Sequence, residues 1–319
     1  MVTNEDNYIR FDWAMKRLLR NKANYVVLEG FLSSLLGKKF KIHRFLESES
    51  NQEDEDDKYN RVDILAESEN EQLCIIEVQN SREQTYFHRM LYGVSKAITE
   101  YIGLGKPYEA VRKVYSINIV YFELGQGKDY VYHGKTEFVG EHEPHDTLKL
   151  SIRQNEKFFG IKDDKLELRK SPGDLFPEYY ILRVNDFDKV ATTPLDEWIE
   201  FLKTGSISSK ATAAGLPEAR ERLRVDSLSQ KDKQAYYRHL EAVRHMKSLF
   251  DTSRDEGYQD GLTEGRIEGR AEGRIEGRAE GEKEKTKEIA LKLLALNTPM
   301  DIISQSTGLS IEEIKKINS

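Results

Sequence analysis

Two carboxylates, Asp63 and Glu77, have the residue types and spacing that could do chemistry in this chain. Each interrupts a short apolar run, residues 61–67 and 72–79, and the polar residues Ser68, Glu69, Asn70 and Glu71 lie between the runs. Short apolar runs bounded by turn residues predict two strands of a hairpin. Apolar side chains fall at both parities, so both faces of that hairpin are expected to be covered. If the loop is Glu69, Asn70 and Glu71, Asp63 stands directly opposite Glu77, and Gln79 shares their face. A slip of one residue would send the two carboxylates to opposite faces. Two anions pressed together in a sheet repel and lose hydration. A divalent cation relieves both costs, and Mg²⁺ favours one or two carboxylates completed by water and phosphate.

The elements that must position this pair can be read around it. Residues 11–19 and Tyr25–Leu36 read as helices, the second with Val27, Leu28, Phe31, Leu32 and Leu35 as its apolar face and Gly37 as its stop. Residues 40–46 read as a strand. The acidic run 48–58 reads as a loop, because it has too few apolar residues to bury. Residues 85–101 carry Tyr86, Met90, Val94 and Ala97 at helical spacing, an apolar stripe expected to be core. Gly103, Gly105 and Pro107 break the chain without making a P-loop. Residues 114–122 predict a strand apolar on both faces, and 130–132, 136–139 and 179–184 predict further strands. A helix is expected at 195–202, a loop at 204–215 and another helix at 230–250. His142 and His145 lie near acids, but no complete zinc spacing surrounds them.

The hairpin, the flanking helices and the C-terminal repeat together resemble the PD-(D/E)XK nucleases. Asp63 followed by Glu77, Val78 and Gln79 is similar to the Rpn family, bacterial recombination-promoting nucleases also described as transposases. The likeness covers about the first two fifths of the chain and extends to the glycine-rich tail. It implies an α/β restriction-endonuclease-like core with a C-terminal helical extension. It also implies a Mg²⁺-dependent DNA endonuclease, with Mn²⁺ as an alternative metal, that promotes DNA recombination. Asp63, Glu77 and Gln79 would be catalytic, with Asp63 and Glu77 ligating the metal. In that family Gln commonly replaces the motif lysine, so Gln79 brings no positive charge. A glutamate from the helix before the hairpin often approaches the metal in such folds, which points to Glu29; a solvated-face position is the alternative. Arg89 matches a family position and is expected at phosphate with Arg82. A surface or ion-paired arginine is the alternative there. Two rival readings remain: a degenerate nuclease fold that binds or regulates, and a transposase with strand-transfer activity.

Residues 256–281 form an internal repeat. Glycine recurs every fourth position from Gly257 to Gly281, and from Glu264 the unit is Glu, Gly, Arg, then Ile or Ala. Each interior glycine costs a helix about 1 kcal/mol relative to alanine, so an isolated helix of this composition would hardly form. The repeat is therefore expected either as a mobile spacer or as a helix whose glycines admit another backbone, making the protein a homo-oligomer. Residues 286–319 resemble a small helix-turn-helix, with Pro299 opening one helix and Ser310 and Glu313 at capping-box spacing. Glu312 and Glu313 occupy positions where a DNA reader needs cations, which favours a protein-contact role. The expected domains are 1–250 nuclease-like, 251–285 repeat and 286–319 tail.

The chain has 319 residues, a net charge of −7 and 33% charged residues, with a mean hydropathy of −0.67. That charge argues against indiscriminate coating of nucleic acid, although it leaves room for a local basic groove. The single cysteine, Cys74, lies in a core strand and reads as a small buried apolar residue. No signal peptide or long apolar run is present, so a cytoplasmic protein with no membrane or small-molecule cofactor is expected.

Overall fold

The computed structural model describes residues 8–19, 21–46, 63–101, 107–161 and 170–317. The acidic run 48–58, Arg61, Val62 and the glycines at 103 and 105 lie outside the described residues. The chain divides into two compact units, Met1–Met246 and Lys247–Ser319.

The first unit is built on one six-stranded sheet. Its strands are β1 (Ile42–Leu46), β2 (Ile64–Ser68), β3 (Leu73–Gln79), β4 (Val114–Val120), β5 (Val131–Gly134) and β6 (Glu178–Arg183), in the order β1-β2-β3-β4-β6-β5. The pairs β1/β2, β2/β3 and β5/β6 are antiparallel, and β3/β4 and β4/β6 are parallel. The central strands β2, β3 and β4 are buried almost throughout, as expected when helices cover both faces. Cys74 is fully buried, and burial pushes its thiol well above the ordinary range.

Side chains alternate between the faces. Ile64, Ala66, Cys74, Ile76, Val78, Ile117 and Ile119 pack with α1 (Phe11–Arg17), α2 (Tyr25–Leu36), α5 (Pro194–Thr204) and α6 (Leu216–Arg222). Gly37 ends α2 in the left-handed conformation at φ 63°. Gly30, within α2, is needed for close approach: a Cβ there would lie 2.1 Å from the Ala214 carbonyl oxygen. Leu65, Leu73, Ile75 and Val114 turn to the other face, which α3 (Tyr86–Tyr101) covers with Val94 and Ala97. Tyr86 and Met90 of α3 continue that layer with Val120.

The sequence left α4 (Ile152–Phe159) and α6 unread. Residues 136–139 form no strand; only an isolated bridge joins Val139 to Thr147. The helix expected at 230–250 is α7, Gln230–Ala295, which runs through the whole glycine repeat. No atom lies within 4 Å of a Cβ added at any glycine from Gly257 to Gly281, so these glycines admit no neighbouring backbone of this chain. Within the regular repeat, Glu and Arg are two residues apart and cannot pair along the helix. Arg278 and Glu282 do pair, at 3.1 Å, where the period ends.

In the second unit, α8 (Met300–Thr307) and α9 (Ile311–Ile317) fold against the end of α7. Ala290, Ile303 and Ile314 are its small core. The capping box is present: Ser310 Oγ accepts from Glu313 N at 3.3 Å, and Ser310 N donates to Glu313 Oε2 at 2.9 Å. Among the described residues, no helix is long and apolar enough to cross a membrane.

Candidate active site

The hairpin register is the one the three-residue loop demands. Ile64 pairs with Ile76, Leu65 with Ile75 and Ala66 with Cys74; continuing that count by one residue sets Asp63 opposite Glu77. Glu71 closes the loop in the left-handed conformation at φ 56°, and its backbone N–H donates to the Ser68 carbonyl at 3.0 Å. Asp63 Oδ2 accepts the Val78 backbone N–H at 2.8 Å, which ties its carboxylate to the facing strand.

Glu77 is 8% exposed, beneath α3. Its Oε2 lies 3.4 Å from the Tyr86 hydroxyl and 3.7 Å from Arg89 Nε. Burial pushes the Glu77 carboxyl up; Arg89 pulls it back and Asp63 pushes it further, to about 7. Arg89 also pairs with Glu83, Nη1 to Oε2 at 3.1 Å. Arg89 Nε itself is buried without a hydrogen-bond acceptor, an orphan donor beside the carboxylate pair. Gln79 is on the same face as Glu77, two residues along β3, and its Nε2 donates to Ser81 Oγ at 3.2 Å. Arg82 follows and is exposed.

Glu29 does not join this group. Its carboxylate pairs with Lys41 Nζ and accepts the Ile42 backbone N–H at 3.0 Å. Ile42 pairs with Ser68 at the far end of β2, about 17 Å along the strand from Asp63. The solvated-face alternative does not describe Glu29 either, since it is 9% exposed. It ties α2 to the start of β1.

Asp63 and Glu77 are thus the pair that could hold a cation. The donor set fits a hard divalent ion, which takes carboxylate oxygens and completes its shell with water and phosphate. Among the described residues no group of three His, Cys, Asp or Glu side chains converges as a metal cluster. His142 and His145 are exposed.

Several buried polar residues escaped the sequence reading. Ser116 and Asn118 are buried on the α3 face of β4; two polar residues at i and i+2 in an apolar strand were the available signal. Tyr86 read as apolar stripe because its hydroxyl has no signature in periodicity. Asp12 in α1 is buried and bonded to Arg10, Asn80 and His239. Burial opposes its charge, but His239 and Arg10 hold its carboxyl well below the usual range. Asn80 and His239 are remote in sequence, and the neighbouring Arg10 alone did not mark it.

Helices on both faces of a mixed sheet, with the antiparallel hairpin β2–β3 continued by parallel β4, define the PD-(D/E)XK restriction-endonuclease-like class with a C-terminal helical extension. Residues 9–158 match the sequence model of the PD-(D/E)XK nuclease family transposases, which gives this region a nuclease- or transposase-like character. That span includes Asp63, Glu77, Gln79 and Arg89. No curated protein and no solved structure matches the chain.

Proposed function

We propose that the protein is a metal-dependent DNA endonuclease of the Rpn type, hydrolysing phosphodiester bonds and promoting recombination. The observation that carries this reading is the opposed Asp63–Glu77 pair with the orphan Arg89 Nε beside it. Asp63 and Glu77 would hold Mg²⁺, or Mn²⁺ in its place. A bound divalent ion supplies polarisation of the phosphoryl oxygen and acidification of a water. Gln79 would orient that water or donate its amide to the scissile phosphate. Arg89 would turn its free Nε–H to a phosphate oxygen, with Arg82 as a second cation at the rim. Glu29, committed to Lys41 and Ile42, is not proposed as a ligand.

The assay is plasmid cleavage by the full chain with and without Mg²⁺ or Mn²⁺. Wild type is expected to nick only with metal, and Asp63→Ala and Glu77→Ala to lose that activity. Metal-dependent cleavage retained by Asp63→Ala would overturn the assignment.

A second reading, a degenerate nuclease fold that binds DNA, is favoured by one observation. The amide at Gln79 is spent on Ser81, and no lysine stands at its position. Metal-independent DNA binding without cleavage would establish it. Strand transfer, the chemistry of a transposase, would be revealed by joining of one DNA to another. We further propose the division 1–250, 251–285 and 286–319, cytoplasmic residence, and self-association through the glycine-repeat helix.

A further inference from the structure

Three buried polar side chains sit in the apolar layer between β4 and α3, and they form a chain that ends on Glu77. Tyr86 is 0% exposed, Asn118 1% and Ser116 2%. Asn118 is the direct partner of Glu77 in the parallel β3/β4 pair. Its Nδ2 donates to Ser116 Oγ at 3.0 Å and to the Tyr180 carbonyl at 3.3 Å. Those two acceptors set the amide so that Oδ1 faces Tyr86. The Tyr86 hydroxyl has one proton and two acceptors, Asn118 Oδ1 at 3.2 Å and Glu77 Oε2 at 3.4 Å.

Burying such groups costs free energy that apolar residues of the same size would not incur. The layer around them is apolar, with Val114, Val120 and Met90. The network therefore needs a reason beyond packing, and its one charged terminus supplies it. Both Tyr86 and Arg89 approach Glu77 at the same oxygen, Oε2. A carboxylate gripped at one oxygen has its rotation about the terminal bond fixed. Burial, and then the Glu77 charge, push the Tyr86 hydroxyl well above its ordinary range, so it remains a donor.

We infer that Tyr86 is a positioning residue: its buried hydroxyl, shared between Asn118 Oδ1 and Glu77 Oε2, holds that carboxylate oxygen and thereby orients Glu77 to ligate a divalent cation. This rests on the metal-site reading above. Tyr86 touches neither the cation nor the substrate; it acts through Glu77. Outer-shell partners of this kind are worth about 10–100-fold in metal affinity.

The test is calorimetric titration of Mn²⁺ into the full chain, checked by the electron paramagnetic resonance signal of free Mn²⁺. Tyr86→Phe removes only the hydroxyl, and its Mn²⁺ Kd is expected to rise about tenfold or more. Its metal-free melting temperature is expected to stay level or rise, because a buried polar group is gone. Asn118→Leu removes the acceptor that competes with Glu77 for the Tyr86 proton, so its Kd is expected to fall below that of wild type. It serves alone if Tyr86→Phe does not fold. Tyr121→Phe is the control: it deletes another hydroxyl, which donates to the Leu202 carbonyl at 2.9 Å, and should leave Kd unchanged. Wild-type Kd in Tyr86→Phe and Asn118→Leu, whatever their melting temperatures, would overturn the positioning role alone. Wild type binding Mn²⁺ no more tightly than Glu77→Ala would overturn the metal site and this inference together.

Discussion

Glu77 sits where burial sets its proton affinity against its charge. Its carboxyl is raised from 4.5 to about 7, so the folded protein holds a proton that the unfolded chain releases across that interval. The stability this contributes is fully present below 4.5, declines as pH rises towards 7 and is gone above it. Glu77→Gln keeps the shape and abolishes the titration. In metal-free buffer at pH 8 the variant is expected to melt above wild type, with the difference vanishing at pH 4. Adding Mg²⁺ at pH 8 should raise the melting temperature of wild type and not of the variant. Differential scanning calorimetry at the two pH values reads both effects; equal melting temperatures at pH 8 would mean that Glu77 is not strained by its surroundings.

At the scale of elements, the β2–β3 hairpin does most to build the site, and its turn is where sequence and structure pull apart. A three-residue loop needs one residue in the left-handed region, and that position is occupied by Glu71 at φ 56°. Non-glycine residues resist this conformation. Glu71→Gly is expected to stabilise the fold by about 0.5–1 kcal/mol, seen as a higher urea midpoint at unchanged slope. The pairing of Asp63 with Glu77 was legible only on the condition of a three-residue loop, because apolar residues at both parities leave a one-residue slip open. The helices Tyr25–Leu36 and Tyr86–Tyr101 were legible from their apolar spacing and the stop at Gly37. Glu29 was not. A helical glutamate among Val27, Leu28 and Phe31 gives no hint of which partner it will meet, and Lys41 with the Ile42 amide reached it first. Tyr86 and Asn118 were hidden for the same reason: periodicity reports which face is buried, not what a hydroxyl or amide touches there. Helices α4 and α6 are seven or eight residues long, too short for two full repeats of an apolar stripe.

Across the whole molecule, the long helix α7 is the departure from intrinsic propensity. Its seven evenly spaced glycines each weaken it, yet it is helical without interruption from Gln230 to Ala295. Gly265→Ala, Gly269→Ala and Gly273→Ala together are expected to strengthen the helix by about 3 kcal/mol, since no atom of this chain obstructs the added methyls. Circular dichroism melting would show it. If copies of the chain meet across the glycine face, the same triple variant should sediment as a lighter species despite its firmer helix. Unchanged sedimentation of an associating wild type would place the contact elsewhere.

The repeat has a further property as a ruler. A helix accommodates one four-residue unit more or fewer without a break. Each added unit would carry α8 and α9 about 6 Å further along the axis and turn them by about 40°. About nine units would be needed to restore the original facing. Variants differing by one unit would therefore share every residue type and every local contact, yet present the terminal helices on a different bearing. Unit number thus sets the bearing of α8 and α9 relative to the start of the repeat.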